Sequence, residues 1–508
     1  MLKIAHSRMD LALALLLAAL VVRLWVQQMN ASFWVDEMVT AFVVHHGAAD
    51  PSLAVAPQVP QSIYYAVPRA ADRIFGTREA AYRAPSLLFA LGALWLVGRI
   101  AARLIHPQAA WFAVFACFGC KEFNWEAPDA RPYALGFLAM AAAVLLLIRW
   151  LDSARWRDAA AFVILAALIW RVQLIFWPAY ALLAIYATVR LVQRETPVSR
   201  VQAAIGFTAL GFLLLPVAVR AIALNRQAGA HVIVDQPTFA QLFNATQWKV
   251  LVECAAGAWI FSRMVRAAKE RKKPEISAAV LAFGWCLIPP VALFLFSKMT
   301  GESVFVRRYY SIALPGAALA AACGAAYFLP ARYWKPAAAI VGIYVLIWYG
   351  WRLQAWPGSD WREAAAAVNA LPAGTPVIVP SPFIEAKGPD WRPDYPLPGF
   401  LYAHLDAYPL HQPVLLFPFH GSAEAETYAA TLTPSLLRAK RFAIYGGDVN
   451  VHFWSRWFLA HPRFSHWTPH PLGVFGDVQS VVVESSEPET PGRGSASRAP
   501  GPSETKVR

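Results

Sequence analysis

Charged residues are scarce in this chain of 508 residues. Only 15% of the residues are charged, while 58% are hydrophobic. A soluble globular protein averages about 25% charged and about 45–50% apolar residues. The apolar residues are gathered in long blocks, and most of the charge lies between the blocks. This pattern excludes a string of ordinary soluble domains and predicts a protein that crosses a membrane many times.

Acidic residues are fewer than basic ones. The chain has 45 Lys and Arg against 31 Asp and Glu, which gives a formal net charge of +14. Nucleic acid is one possible partner of a basic chain. Here the cations lie mainly at the ends of the apolar blocks, which is typical of loops beside an anionic membrane. We therefore expect membrane lipids, and no nucleic acid, as partners.

Cysteines and nucleotide-binding motifs are also few or missing. The five cysteines lie in or beside apolar blocks, and the Cys117–Cys120 pair has no second pair or histidine to complete a zinc site. This arrangement predicts free thiols in helix packing and excludes a disulfide framework. The glycine-rich fingerprints of Rossmann and P-loop proteins do not occur, so we expect no nucleotide site.

Eleven apolar segments are candidates for membrane-spanning helices. Two of them, Ala109–Cys120 and Ala159–Trp170, are short and could be re-entrant or buried within the bundle. The segment nearest the N-terminus, Leu11–Val26, follows a short basic start and lacks a small-x-small cleavage site, so we expect it to be an uncleaved anchor helix. The other nine are Leu11–Val26, Ala84–Leu104, Tyr133–Arg149, Leu174–Val189, Val201–Val219, Gln247–Phe261, Ile276–Ser297, Tyr309–Leu329 and Pro336–Gly350.

Basic residues in the loops predict the orientation. Four loops are rich in Lys or Arg, and with eleven spans and a cytoplasmic N-terminus all four lie in the cytoplasm. Their basic residues fall within 149–157, 190–200, 263–273 and 332–335. The same parity places three parts of the chain outside: loop 27–83, loop 121–132 and everything after Trp356.

The segment after Trp356 is too polar to span a membrane. Residues 1–355 therefore form the predicted transmembrane domain, and residues 356–487 a small extracytoplasmic α/β domain. A helix begins near Asp360. The predicted strands are Val377–Val379, Val414–Phe417, Phe442–Tyr445 and Val478–Val483. Residues 488–508 are rich in Ser, Pro and Gly and are expected to be disordered.

The first outside loop carries the acidic pair Asp36-Glu37, directly before an amphipathic stretch that ends at His46. Carboxylates at a membrane surface are costly unless they are solvated, paired or used. Two interpretations stay open on the residues alone. Asp36 could cap this helix with Glu37 in its first turn, or the pair could be part of a catalytic site.

Two further charged clusters lie on the same side. Residues 121–133 include five charged residues, among them Lys121, Asp129 and Arg131. Asp129 and Arg131 could pair with each other, or Arg131 could bind a phosphate with two parallel hydrogen bonds. Arg307 and Arg308 open the tenth segment and could be interfacial anchors. The convergence of all three clusters favours a site for a charged lipid head.

The order of several short motifs resembles a known group, the membrane-embedded C-type glycosyltransferases that use polyprenyl-phosphate-linked sugars. That group includes protein O-mannosyltransferases and the aminoarabinose transferases of lipid A. The resemblance covers the chain from Phe33 to about Val379. Its motifs are Trp34-Val35-Asp36-Glu37, Ile63-Tyr64-Tyr65 with Phe75-Gly76, Glu79 and Arg83-Ala84-Pro85-Ser86, Asp129-Ala130-Arg131-Pro132-Tyr133-Ala134-Leu135, Arg308-Tyr309 before Pro315, and Asp360-Trp361-Arg362.

One motif departs from the family pattern. Where many relatives have Pro-Pro-Leu, this chain has Gln61-Ser62-Ile63. Some relatives carry a lysine just before that run, which helps to hold the lipid phosphate, and this chain has none there. The contact is either missing or supplied by Lys121 or an arginine.

The resemblance implies the C-type fold and the transfer of a sugar, with inversion, from a polyprenyl-phosphate donor to an acceptor hydroxyl on a lipid or protein. Asp36 would be the base, with Glu37 as the second catalytic carboxylate. The donor phosphate would be bound by Arg131 and Arg308, with Lys121 and Arg307 in reserve. Substrate contacts would come from Asp129, Tyr64 and Tyr133.

No cofactor is required for this chemistry, although Asp36 and Asp129 could bind a divalent cation. The expected location is the inner membrane, with the active site on the periplasmic face. Two alternatives remain open: a lipid or sugar transporter or flippase, and a non-catalytic relative that acts in cell-envelope assembly. The sequence names neither the sugar nor the acceptor.

Overall fold

The computed structural model describes residues 2–225, 235–264, 274–352, 360–387, 398–419 and 421–486. Its first 352 residues are mainly helical. In chain order the α-helices are α1 (Leu2–Leu24), α2 (Val35–His46), α3 (Ala66–Phe75), α4 (Glu79–Leu104), α5 (Ala110–Gly119), α6 (Lys121–Glu126), α7 (Tyr133–Ser153), α8 (Trp156–Val172), α9 (Pro178–Val192), α10 (Arg200–Asn225), α11 (Phe239–Ala245), α12 (Trp248–Met264), α13 (Ile276–Thr300), α14 (Leu314–Ala326) and α15 (Trp334–Arg352).

Each apolar segment predicted as a span contains most or all of one of these helices or lies within it, although Leu174–Val189 and Tyr309–Leu329 begin in 3-10 turns before α9 and α14. Within the described ranges, six helical segments are long and apolar enough to cross a membrane. They are Arg8–Gln28, Glu79–Leu104, Tyr133–Ser153, Leu174–Val192, Arg200–Leu224 and Ile276–Thr300. The helices α5 and α14 are apolar but shorter. A multi-pass helical protein is thus confirmed, while the count of eleven spans stays a prediction.

Small residues allow the central helices to approach closely. Nearly every residue of α14 is buried, and most of them are Ala or Gly. A Cβ atom on Gly316 would lie 2.6 Å from atoms of Trp285 in α13, so only glycine fits there. Close backbone approach at small residues is the usual basis of helix packing in membranes. By contrast, α10 is peripheral and exposes Phe212 and Val219 on the surface that would face lipid.

The C-terminal part contains a five-stranded sheet with the strand order β2-β1-β3-β5-β4. The strands are β1 (Val377–Pro380), β2 (Val414–Phe417), β3 (Arg441–Gly447), β4 (Trp467–Pro471) and β5 (Val478–Ser485), and the helices are α16 (Trp361–Asn369), α17 (Pro398–Leu401), α18 (Ala403–Ala407), α19 (Ala423–Ala439) and α20 (Asp448–Ala460). Strand β1 is parallel to β2 and β3, whereas β5 is antiparallel to β3 and β4.

Four strands lie where the sequence predicts them, and β4 was missed. Two prolines interrupt β4, and most of its residues are exposed. A proline-containing edge strand lacks the buried alternating pattern by which strands are found. The helix predicted near Asp360 begins at Trp361, with the Asp360 carboxylate accepting from the N–H of Glu363 at 3.1 Å. The tail predicted to be disordered lies outside the described residues.

The first outside loop and the C-terminal sheet share one hydrophobic core. Phe33, Met38 and Phe42 from the start of α2 and its approach belong to the same buried cluster as Trp361 and Phe442. The helix α2 thus packs on the C-terminal part along its length. The separate extracytoplasmic domain predicted for residues 356–487 stays a prediction, but its core is continuous with the loop that carries the acidic pair.

Hydrogen bonds reinforce this contact at both ends of α2. Before the helix, the Tyr408 hydroxyl accepts from the N–H of Phe33 at 2.7 Å and donates to Glu79 at 2.8 Å. At its C-terminal end, Asp406 bonds His45 Nδ1 at 3.1 Å and His46 Nε2 at 3.0 Å.

A fully buried ion pair fixes the chain before α2. The Arg83 guanidinium of α4 is paired with Glu37, and its Nε donates to Glu37 Oε1 at 2.8 Å. Both side chains have no exposed surface. The remaining guanidinium hydrogens are donated to backbone carbonyls of the preceding turn, those of Gln28, Met29, Ala31 and Ser32.

Arg83→Met should lower the free energy of unfolding by about 3–5 kcal/mol, because it leaves the Glu37 carboxylate buried without a partner. Arg441→Met, which breaks the exposed pair with Glu484, is the matched control and should cost about 1 kcal/mol or less. Denaturation of the purified proteins in detergent measures both. Equal losses would contradict the structural role given to Arg83.

The contact of His45 with Asp406 should make stability depend on pH. The hydrogen bond that the His45 ring donates to Asp406 raises the pKa of His45 against the opposing effect of burial, and the same bond lowers the pKa of Asp406. The histidine contribution is therefore complete below its unfolded pKa of about 6.5 and is lost as the pH rises through the raised value. Thermal denaturation between pH 6 and 9 should show this loss, and it should be smaller in Asp406→Asn.

Candidate active site

The candidate site lies where four short pieces of chain meet. They are the start of α2, the 3-10 turn Ile63–Tyr65, the segment from α6 to the start of α7, and the 3-10 turn Arg307–Tyr309 before α14. The short helix α6 packs directly on the turn that carries Arg308. All three charged clusters predicted from the sequence therefore contribute to one place.

Asp36 is the second residue of α2 and does not cap it. The helix begins at Val35 after Trp34, and the carboxylate of Glu37 accepts from the N–H of Trp34 at 3.4 Å. Asp36 Oδ2 lies 3.3 Å from Arg308 Nε, with the Asp36 side chain 18% exposed. This is an ion pair without an aligned hydrogen bond. The carboxylate is thus both charge-paired and accessible.

Glu37 differs from its neighbour in every contact. It has no exposed surface, and besides Arg83 and Trp34 it accepts from the N–H of Ala130 at 2.9 Å. It therefore holds the segment that carries Asp129 and Arg131 against α2. A catalytic role for Glu37 stays a prediction.

Asp129 and Arg131 contact different partners. Asp129 Oδ1 accepts from Trp34 Nε1 at 3.1 Å, and Arg131 Nη1 donates to the backbone carbonyl of Asp36 at 3.0 Å. Among the ion pairs of the described residues there is none between Asp129 and Arg131, so the simple pairing of these two is not what the structure has. Arg131 instead brings a cation beside Asp36.

The run Gln61-Ser62-Ile63, which differs from the family motif, still forms an ordered turn. The Ser62 hydroxyl donates to the carbonyl of Val172 at the end of α8, 2.5 Å away, and accepts from the N–H of Tyr64 at 3.2 Å. Tyr64 is buried with its hydroxyl 3.1 Å from that of Ser86. Its neighbour Tyr65 reaches the site: burial raises the pKa of the Tyr65 hydroxyl, and the charge of Arg131 opposes that shift.

Several buried polar atoms of the segment 121–133 have no hydrogen-bond partner within the described part of the chain. They are Glu126 Oε2, Asp129 Oδ2, Arg131 Nε and the Tyr133 hydroxyl. A buried polar atom left unpaired costs about 1–3 kcal/mol, so such atoms normally bind water or a ligand. Four on one segment, beside an ion pair, indicate a site for a polar ligand.

Two carboxyls of this segment, those of Glu126 and Asp129, are shifted toward the protonated form. Burial raises the pKa of Glu126 to about 8, with Arg308 opposing the shift and Asp36 adding to it. Burial also holds the pKa of Asp129 well above its usual range, and the charges of Glu37 and Glu126 act in the same direction. Asp36, in turn, raises the pKa of Arg308, which therefore stays charged.

Two of the residues predicted to bind the phosphate are more exposed than Arg131 and Arg308. Lys121, at the start of α6, and Arg307, beside Arg308, are both exposed. No group of three or more His, Cys, Asp or Glu side chains in the described ranges is arranged to hold a metal ion. The divalent cation considered for Asp36 and Asp129 is untested.

Sequence reasoning missed three residues at the site. Glu126 is part of the charged loop 121–132, but the sequence has no feature that distinguishes Glu126 from Glu122 as a site residue. Tyr65 directly follows Tyr64, the predicted substrate contact. Glu385 comes from a distant turn, Ile384–Lys387, and is close enough to Asp36 that this charge, after burial, raises its pKa. Only the three-dimensional packing of the C-terminal part places it there.

Comparison with solved structures identifies the fold. The crystal structure of ArnT from Cupriavidus metallidurans bound to undecaprenyl phosphate superposes with a TM-score of 0.52 at 13% identity, over 92% of this chain and 97% of that one. Its apo state gives 0.42 at 13% identity over the same shares of both chains. Arabinosyltransferase EmbB from Mycobacterium smegmatis gives 0.34 at 18% identity, over 58% of this chain and 30% of that one.

No family model matches the sequence, and no curated protein matches it. ArnT has the C-type glycosyltransferase fold. The resemblance found in the sequence motifs is therefore confirmed at the level of the fold, since this chain shares the C-type fold of that ArnT structure.

Proposed function

We propose that this protein is a membrane glycosyltransferase that moves a sugar from a polyprenyl-phosphate donor to an acceptor hydroxyl on the extracytoplasmic side. One observation carries the proposal: a half-buried carboxylate, Asp36, lies 3.3 Å from Arg308, and Arg131 donates to the backbone of the same residue. A base and two cations are thus within a few ångströms of one point. The fold shared with ArnT, whose crystal structure has undecaprenyl phosphate bound, supports this proposal.

The two arginines suit a departing lipid phosphate. When the bond from the sugar to the phosphate breaks, negative charge develops on the phosphate oxygens. Guanidinium groups held in place stabilise such charge better than water does, because they need not reorient. Arg131 and Arg308 come from different elements and are both held beside Asp36. They replace the lysine that the Gln61-Ser62-Ile63 run lacks.

Asp36 suits the acceptor side of the reaction. The acceptor oxygen forms a bond to the anomeric carbon from the face opposite the phosphate, and its proton passes to the Asp36 carboxylate. Positive charge that develops on the sugar ring is stabilised by the same carboxylate. Attack opposite to the leaving group gives inversion. Tyr133 and Asp129 hold unpaired polar atoms on the same segment and are our candidates for contacts to the sugar hydroxyls.

The extracytoplasmic location rests on the charge of the loops. The basic clusters lie on one side of the predicted spans and all site residues on the other. A polyprenyl carrier keeps its sugar at the membrane surface, where α2 and the turn before α14 present the site. The acceptor is a lipid or a protein that reaches this surface.

Asp36→Asn should abolish sugar transfer, because the amide cannot accept the proton. A loss on the order of 10²–10⁴-fold is expected for a general base. Transfer from a polyprenyl-phosphate sugar to membrane acceptors, measured with protein in proteoliposomes, provides the test. Glu424→Gln, an exposed carboxyl of α19, is the control and should keep full activity. Full activity of Asp36→Asn would refute the base assignment.

Arg131→Ala should weaken use of the lipid donor roughly 10- to 100-fold, the value of one charge-assisted hydrogen bond of about 1.5–3 kcal/mol. The KM for the donor should rise more than that for the acceptor. Arg332→Ala removes a cation that stacks on Tyr333 in a loop placed on the opposite side and should change neither constant. An unchanged donor KM in Arg131→Ala would count against the phosphate role.

A further inference from the structure

Glu126, the last residue of α6, is a carboxyl that the chemistry described so far does not use. Its side chain is 5% exposed, and its Oε2 atom has no hydrogen-bond partner within the described ranges. Since α6 packs on the turn that carries Arg308, the charge of that guanidinium acts on Glu126 from one element, while Asp36 of α2 lies 3.3 Å from it.

The charged and titratable groups around Glu126 come from every neighbouring element. They are Asp36 of α2, Glu122 of α6, Asp129 and Arg131 of the following loop, Tyr133 of α7, and Arg308 of the turn before α14. Two cations and three carboxyls therefore surround this carboxyl. Once a lipid phosphate binds at the arginines, the balance shifts further toward negative charge, which favours a proton on Glu126.

The two carboxyls beside Arg308 differ in their surroundings. Asp36 has an ion-pair partner at 3.3 Å and a partly exposed side chain. Glu126 has no ion pair within 4.0 Å among the described residues and is more deeply buried. Burial raises its pKa to about 8. Carboxyl pairs whose surroundings favour opposite protonation states commonly divide the roles of base and acid between them.

We propose that Glu126 is the proton donor to the departing lipid phosphate, an inference that rests on the proposed glycosyltransferase function. As the acceptor oxygen bonds to the anomeric carbon, its proton passes to Asp36. The bond between the anomeric carbon and the phosphate oxygen breaks, and its electron pair stays on the phosphate. The Glu126 proton then moves to a phosphate oxygen, so that the lipid phosphate leaves with one negative charge fewer.

Solvent restores both carboxyls after the products leave. Asp36 releases its proton to water, and Glu126 takes one up, so the net change is one proton transferred from the acceptor hydroxyl to the lipid phosphate. The competing explanation is that Glu126 is structural and its unpaired oxygen only binds an ordered water. A structural carboxyl would not shape the pH dependence of transfer, and this difference separates the two.

The first test is the pH profile of transfer by the full-length protein in lipid nanodiscs. Wild-type activity should fall as the pH rises through about 8, where Glu126 loses its proton. Glu126→Gln should transfer on the order of 10²-fold more slowly and should lack this alkaline fall, because an amide does not titrate. Glu424→Gln, at an exposed carboxyl of α19 that does not act on Glu126, is the control and should keep the wild-type profile.

The second test needs no sugar transfer. Undecaprenyl phosphate alone is bound to the nanodisc-embedded protein at pH 7.5 and pH 9. Wild type should bind it about 10-fold more weakly at the higher pH, the factor that one pKa unit corresponds to. Glu126→Gln should bind undecaprenyl phosphate equally at pH 7.5 and pH 9. The same variant also serves as the correction for titration of the lipid phosphate itself.

These two measurements separate the possible failures. If wild type binds the lipid phosphate in this pH-dependent way but transfers no sugar from any polyprenyl donor, the proposed function fails and the phosphate contact of Glu126 stands without its role in transfer. If transfer occurs but Glu126→Gln keeps the alkaline fall, the proton-donor role is overturned. Loss of the fall in Asp129→Asn alone would overturn it too, because Asp129 would then be the titrating group.

Discussion

The arrangement of the site depends on one buried ion pair, Arg83 with Glu37. A guanidinium without exposed surface cannot remain unpaired in a protein interior, and here it is satisfied by one carboxylate and four backbone carbonyls. Glu37 in turn holds the N–H of Ala130. Through these contacts the turn after α1, the start of α2, helix α4 and the loop before α7 are joined. Arg131 thereby reaches the backbone carbonyl of Asp36, nearly a hundred residues earlier in the chain.

This explains why adjacent carboxylates have different contacts. In an α-helix, consecutive side chains point about 100° apart, so Asp36 and Glu37 cannot face the same partner. Glu37 faces inward to Arg83, and Asp36 faces Arg308. Of the two acidic residues, Glu37 therefore holds the structure, and Asp36 is available for chemistry. The residues alone could not separate these roles, because they do not show which face of α2 is covered.

The sequence was informative where the physics is local. Helices lie at each apolar block, and four strands of the sheet lie at short apolar runs, because hydrophobic periodicity depends on near neighbours. The edge strand with two prolines escaped notice, since its signal is weak. The meeting of the three charged loops in one place was predicted from the sequence. Glu126, Tyr65 and Glu385 escaped, because their importance comes from burial and from tertiary neighbours that no spacing encodes.

The shared core of α2 and the C-terminal sheet has a consequence for how the molecule is made. Phe33, Met38 and Phe42 emerge early in synthesis, but Trp361, Phe442 and the strands that cover them emerge more than three hundred residues later. In the proposed topology these late residues must first be exported. Helix α2 therefore reaches its final position only after the last strand has crossed the membrane in that topology. Under the proposed function, a partly inserted chain has no assembled site and cannot react with lipid-linked sugar before its biogenesis is complete.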